Sequence, residues 1–255
     1  MSKTTKELLV IIPAYNEEKN IGPVLDQLKA SPLGDKMDIL VMNDASKDAT
    51  KQVVLDHGCM VVTHIYNLGY GSGLQIGYKY AQSHGYRYLI QMDADGQHDV
   101  CNVEKIYEEL NRADEQGNCP DIVLGSRFTH GWKDYPTSTV KKIAYIIFRT
   151  LIKMFTGKKI TDPTTGLQGL SARAFSFYAG YNHFDDKYPD ANMITQMILL
   201  GYRVEEIPAV MHVRTEGISM HSGLKPIIYM FRMTFSIVAV FLREKLYHVD
   251  PEVKD

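Results

Sequence analysis

Leu89-Ile90-Gln91-Met92-Asp93-Ala94-Asp95-Gly96-Gln97-His98 is an apolar run that stops at two carboxylates one residue apart. In an extended backbone, side chains two apart point to the same side, so Asp93 and Asp95 are expected to converge on one cation while Gly96 lets the chain turn away. Carboxylate and amide oxygens suit hard divalent ions, and a sparsely liganded Mg2+ or Mn2+ keeps positions open for diphosphate oxygens. Taken alone, the same residues also read as an Asp-Gly turn closing a strand. The rest of the chain has to decide between the two.

Working outward, the pattern repeats. Leu8 to Ile12 is a continuous apolar run ended by Pro13, which reads as a strand buried on both faces. Further strands are expected at Met37–Met42, Cys59–Ile65 and Tyr86–Met92, and shorter ones at Asp121–Gly125, Tyr202–Pro208 and Val210–Val213. Helices are expected from Ile21 to Leu28, after Ser46 as a capping residue, from the glycine-rich Asn67–Gly77 onward, and at Val100–Gln116, Thr139–Phe155, Asp190–Leu200 and Leu224–Leu246. Strand, polar loop and helix in alternation predict an α/β fold with a mostly parallel central sheet flanked by helices. Ligands bind beyond the carboxyl ends of strands in such sheets. Tyr15 to Glu17, Asn43 to Asp44 and Asp93 to Gln97 all follow strands, so the fold brings three polar clusters to one edge, where they suggest a nucleotide site.

Composition narrows the class. The 255 residues suffice for one large domain, and 45% hydrophobic with 23% charged residues is ordinary for a globular protein. A formal charge of −2 argues against general nucleic-acid binding. Cys59, Cys101 and Cys119 have no metal-type spacing and read as reduced packing residues. The polar N-terminus shows no signal peptide, and Met233–Leu242 is too short to span a bilayer of ~30 Å, although it could lie on one. No linker divides the chain, so the expected layout is one catalytic unit, residues 1–222, with a C-terminal helical segment, 223–255.

Six motifs in order carry a resemblance: Pro13-Ala14-Tyr15-Asn16-Glu17-Glu18, Asn43-Asp44-Ala45-Ser46-Lys47-Asp48-Ala49-Thr50, Asp93-Ala94-Asp95-Gly96-Gln97-His98, Gly125-Ser126-Arg127-Phe128, Asp162-Pro163-Thr164-Thr165-Gly166-Leu167 and Arg214-Thr215-Glu216-Gly217-Ile218-Ser219. The chain resembles family-two glycosyltransferases of the GT-A fold, in the branch like dolichyl-phosphate-mannose synthase, over Leu8 to about Ser222. It departs by carrying Ala45 where the family commonly has glycine. It also lacks the several membrane-spanning helices that some relatives carry after the catalytic domain.

The resemblance implies an inverting, metal-dependent transfer of a sugar from a UDP- or GDP-sugar donor to polyprenyl phosphate. It places Pro13, Ala14, Tyr15, Glu17, Asp44, Gly73, Asp93, Ala94 and Asp95 around the donor. Asp93, Asp95 and Gln97 would hold Mg2+ or Mn2+; His98, next in sequence, reads as a hydrogen-bonding loop residue or a further ligand. Arg127, Lys141 and Arg214 would receive the acceptor phosphate, since an arginine fork matches phosphate geometry. Gly69, Gly71 and Gly73 lack the spacing of a dinucleotide-binding loop. With Asp95, Arg127 and Arg214, Asp190 completes the catalytic set: were the acceptor a sugar hydroxyl in cell-wall or capsular polysaccharide, Asp190 or Asp162 would be its base. A silent nucleotide-sugar-binding subunit is a third reading, disfavoured because the leaving-group residues are intact. Expected surroundings are the cytoplasmic face of the plasma membrane, a membrane surface or small integral membrane partner for the C-terminal helix, and no nucleic acid. The oligomeric state stays open, a homo-oligomer included.

Overall fold

The computed structural model describes residues 6–129, 139–212 and 225–247. Among these residues, seven strands form one sheet in the order β3-β2-β1-β4-β6-β5-β7. They are β1 (Leu8–Ala14), β2 (Met37–Asn43), β3 (Met60–Thr63), β4 (Tyr88–Gln91), β5 (Ile122–Ser126), β6 (Gln168–Ser171) and β7 (Val204–Pro208). The β1/β2, β2/β3, β1/β4 and β5/β7 pairs are parallel; β6 runs antiparallel to both β4 and β5. The mostly parallel sheet flanked by helices is therefore as the sequence implies.

Strand β1 shows why the sheet is covered on both faces. Leu9 and Ile11 enter one apolar layer and Leu8, Val10 and Ile12 the other, and all five are buried. That is the two-residue alternation of a pleated strand, with no polar face to leave in water. Helices α1 (Ile21–Ala30), α2 (Thr50–Asp56) and α4 (Cys101–Leu110) cover the second layer through Ile21, Val24, Leu25, Leu28, Val54, Val103, Ile106 and Leu110. The first is covered by α3 (Tyr70–His84), α5 (Thr139–Thr156), α6 (Ala172–Ala179), α7 (Ala191–Leu199) and α8 (Lys225–Tyr247).

Several local expectations change. Strand β6 and helix α6 were not expected; four residues with the pattern Gln-Gly-Leu-Ser carry too little periodicity to announce a strand. Ser46 does not cap α2, whose N-cap is Ala49. The Ser46 hydroxyl accepts instead from the Asn16 amide at 3.0 Å, and Asp48 takes the Thr50 amide at 3.0 Å. The 100–116 helix ends at Leu110. Of Val210–Val213, residues 210–212 form no strand, and Met211 makes only a single bridge to His98.

Helix α8, placed by the sequence reading in a separate segment 223–255, packs against α5 and α7. Met233, Ile237 and Val240, at helical spacing, are buried, and the Phe155 and Phe241 rings stack with centroids 4.1 Å apart. Its opposite face exposes Ile228, Phe231, Phe235, Leu242 and Leu246. Core packing and an outward apolar face thus belong to two sides of one helix. Among the described residues, no helix is long and apolar enough to cross a membrane.

Candidate active site

Because β1, β2, β4 and β5 all point the same way, the loops after Ala14, Asn43, Gln91 and Ser126 open at one edge. The antiparallel direction of β6 adds a further loop: the residues that precede Gln168, from Thr161 to Leu167, reach that edge too. This is how three-dimensional proximity arises between Asp93, Arg127 and Asp162.

Asp44 forms the donor-side corner. Its carboxylate accepts from the Leu68 amide at 2.8 Å and the Gly69 amide at 2.9 Å, and Oδ1 lies 2.8 Å from His64 Nδ1. The Asp44 amide donates to Ala14 O at 2.9 Å, which ties the β1 and β2 loops together. Residue 45 shows why glycine suits this motif: Ala45 has φ +58°, in the left-handed region that strains a side chain. Tyr15 is partly exposed beside this corner, whereas Ala14 is buried. Pro13 pairs with Met42 across the strands. The Glu17 amide donates to Thr50 Oγ1 at 2.9 Å and its carboxylate accepts from Asn20 at 2.7 Å. Gly73 lies inside α3 with Met42 and His64 as neighbours, so it acts in packing α3 onto β2.

Strand β4 ends at Gln91, so Asp93-Ala94-Asp95 lies in a turn rather than in extended chain, with Gly96 at φ +71° closing it. The two carboxylates have different neighbours. Asp93 Oδ1 accepts from the Tyr70 hydroxyl at 3.2 Å, and its Oδ2 lies 3.4 Å from His98 Nε2. Gly166 backs it so closely that a Cβ there would stand 2.8 Å from Oδ2. Burial pushes the Asp93 carboxyl up, but the His98 hydrogen bond and charge, Tyr70 and Arg127 outweigh burial and hold it below the usual carboxylate range. Asp95 accepts from the Gln97 amide at 3.0 Å and borders a cleft with Lys19, Asn20, Asp99 and His212. Ala94 is buried between them. Among the described residues, no group of three or more His, Cys, Asp or Glu surrounds a common point. The oxygen donors Asp93, Asp95 and Gln97 fit a hard cation that takes the rest of its shell from a diphosphate and water.

Arg127 has a partner that the sequence did not indicate. Its Nε and Nη2 donate to the two carboxylate oxygens of Asp162, each at 2.7 Å, and Nη2 also reaches Thr164 Oγ1 at 3.0 Å. Asp162 is fully buried. A strand from the far edge of the sheet holds this loop: the Glu206 carboxylate accepts from the Thr161 and Asp162 amides at 2.7 and 2.8 Å. The bidentate edge of Arg127 thus faces a carboxylate.

Arg127 also lines a cavity of about 160 Å³ with Val140, Lys141, Ala144, Tyr145, Thr164, Asp190 and Tyr229. The structure therefore brings Arg127, Lys141 and Asp190 together, from three separate elements. Burial, then the neighbouring Arg127 charge, lowers the Lys141 pKa. Asp190, at the start of α7, makes no capping bond; its Oδ2 accepts from the Tyr229 hydroxyl at 2.6 Å. Burial raises its carboxyl to about 6, against the Tyr229 hydrogen bond and the Arg127 charge, which lower it, and with Asp93 and Asp185 adding to the rise. Arg214 and its motif lie outside the described residues. His64, Tyr70 and Tyr229 were missed from sequence; Tyr70 sits in the glycine-rich stretch that drew attention only for its glycines.

Comparison with known proteins fits this geometry. Residues 9–178 match the family model described as glycosyl transferase family 2. The chain is 30% identical to an undecaprenyl-phosphate mannosyltransferase of Micrococcus luteus, over 85% of this chain and 88% of that protein. It is 27% identical to a polyprenol monophosphomannose synthase of Mycolicibacterium smegmatis, over 87% and 83%. In three dimensions it resembles glucosyl-3-phosphoglycerate synthase from Mycobacterium tuberculosis, solved with Mn2+, UDP-glucose and phosphoglyceric acid. That match has a TM-score of 0.64 at 16% identity and covers 93% of this chain and 80% of that one. At such identity, the likeness speaks for the GT-A fold.

Proposed function

The chain belongs to glycosyl transferase family 2 and is a glycosyltransferase, and on that premise we propose that it transfers a sugar from a nucleoside-diphosphate donor to polyprenyl phosphate at the cytoplasmic face of a membrane. The observation that carries the acceptor is the convergence of two cations, Arg127 and Lys141, on one small cavity beside the outward apolar side chains of α5 and α8. Val140, Ile143, Ile146 and Met154 are exposed on α5, and Ile228, Phe231 and Phe235 on α8. A phosphate in the cavity and an isoprenoid chain along those helices satisfy both features. The relatives from Micrococcus luteus and Mycolicibacterium smegmatis, one named for undecaprenyl phosphate and the other for polyprenol monophosphomannose, support the same acceptor class.

In this reading, Tyr15, Glu17 and Asp44 border the base and ribose. Asp93, Asp95 and Gln97 would hold Mg2+ or Mn2+, which neutralises the departing diphosphate. A phosphate monoester has its second pKa near ~6, so at neutral pH the acceptor is largely dianionic and already nucleophilic. Its oxygen attacks the anomeric carbon from the side opposite the diphosphate. The new carbon–oxygen bond forms as the bond to the diphosphate breaks, the electron pair leaves with the nucleotide, and configuration inverts. Arg127 and Lys141 hold the acceptor in line, and Arg214, outside the described residues, is assigned to the same phosphate by its sequence motif alone.

A second reading has one observation in its favour: a half-buried carboxylate with its pKa raised to about 6, Asp190, lines the same cavity. That is the equipment of a general base for a sugar hydroxyl. Incubation of the purified protein and Mn2+ with radiolabelled UDP-glucose, UDP-N-acetylglucosamine or GDP-mannose, with and without undecaprenyl phosphate, tests the two. Label in the organic extract supports the lipid phosphate. Label on a saccharide acceptor alone overturns it.

A further inference from the structure

We propose that Tyr229 is a positioning residue whose hydroxyl fixes the Asp190 carboxylate in the acceptor cavity, which makes helix α8 a wall of that cavity. This deepens the acceptor-site reading above and rests on it for its catalytic meaning. The bond is short, 2.6 Å from Tyr229 Oη to Asp190 Oδ2, and both residues line the cavity. Asp190 caps no helix, so its side chain is committed to this contact rather than to α7.

The ring that carries the hydroxyl is held from two sides. Phe148 of α5 meets it edge-on with centroids 6.1 Å apart, and Tyr188, in the loop that leads to Asp190, at 5.6 Å. Arg232, one turn further along α8, lies over the Tyr188 ring at 4.8 Å. Asn192 Nδ2 donates both to Ser236 Oγ at 3.0 Å and to Asp185 Oδ2 at 2.9 Å, so α8, α7 and the preceding loop are joined at the level of Asp190. Edge-on aromatic contacts of this kind favour one ring orientation, and the oxygen position follows from it.

The groups that set the charge on Asp190 come from each surrounding element. They are Tyr229 of α8, Arg127 after β5, Asp93 after β4, Asp185 in the loop before α7 and Tyr70 of α3, while Lys141 and Tyr145 of α5 line the same cavity. Among the described residues, Tyr229 is the one that donates a hydrogen bond to the Asp190 carboxylate. A hydroxyl donated to a carboxylate favours the ionised form. The outward face of the same helix is apolar. Displacement of α8 therefore takes away the hydroxyl that the Asp190 carboxylate accepts from.

The test reads Asp190 directly and needs no turnover. In full-length protein with 13C-carboxyl aspartate, Asp190 is identified by the signal lost in Asp190→Asn and is titrated in wild type and Tyr229→Phe. Phenylalanine keeps the ring contacts and removes only the donor. The expected result is a midpoint moved upward by about 1–2 pH units, the range that the loss of one hydrogen bond to a charged group corresponds to. Equal midpoints in the two proteins overturn the proposal. A wild-type measurement guards against a folding defect in the variant: the Tyr229 ring 13Cζ signal should titrate in step with the Asp190 carboxyl, and a flat Tyr229 signal also overturns it. Because neither signal depends on transfer, failure here is distinct from failure of the acceptor assignment, which shows as absent lipid product.

Discussion

Replacing Asp190 with asparagine separates the two acceptor classes by sign. The carboxyl lies in a cavity of about 160 Å³ shared with Arg127 and Lys141, and burial raises its pKa to about 6. At pH 7, roughly ten molecules carry it ionised for each that carries it protonated. A phosphate dianion in the same small space repels that charge. At about 6 Å and an effective dielectric near 20, each pair of charges costs about 2.8 kcal/mol. The cavity has a cheaper course, which is to protonate Asp190 as the phosphate enters. At pH 7 this costs about 1.4 kcal/mol, one pH unit above the midpoint, and that smaller figure sets the penalty. The Asp190→Asn variant has no such penalty, so a phosphate acceptor should bind up to about tenfold tighter to it at pH 7. Below the midpoint, at pH 5, the two proteins should bind equally, because wild-type Asp190 is then already protonated. Calorimetric titration with a short-chain isoprenyl monophosphate at both pH values measures this, and comparison at equal pH cancels the ionisation of the phosphate itself. Tightening that is absent at pH 7, together with transfer reduced by the ~10²–10⁴ typical of a lost general base, would refute the reasoning and favour a hydroxyl acceptor.

Arg127→Ala removes the partner of a fully buried carboxylate, Asp162, and should lower stability by about 3–5 kcal/mol in urea denaturation; an unchanged urea midpoint would show that the pair is not structural. Asp95→Asn should abolish Mn2+-dependent transfer while circular dichroism and melting temperature stay near wild type, and retained turnover with bound metal would remove the assigned metal role. Phe231→Ser combined with Phe235→Ser, two exposed positions on α8, should reduce co-flotation with anionic vesicles at least ~tenfold. Stability should change by only about 0.5 kcal/mol per exposed site; unchanged flotation would argue against the helix as a membrane contact.

The sequence by itself determined the class of fold and which polar loops gather at one edge of the sheet. Leu8 to Ile12 has no polar face, and Leu89 to Met92 carries only Gln91 among apolar side chains, so both had to become strands covered on both sides, and parallel strands send the polar loops after them to one edge. Asp44, Asp93 and Arg127 were legible because each follows such a strand directly. Strand β6 was not: its four residues have no run or alternation, and its antiparallel direction exists only in its pairing with β4 and β5. That direction in turn brings Asp162 to Arg127, 35 residues away, and Gly166 to the back of Asp93. Tyr229 lies 39 residues from Asp190 on a helix whose composition was ambiguous between core and surface. Hydrophobic patterning is a local property of the chain and can be read along it. The partner of a guanidinium, or the hydroxyl that meets a carboxylate, depends on which elements pack side by side, and only the tertiary structure decides that.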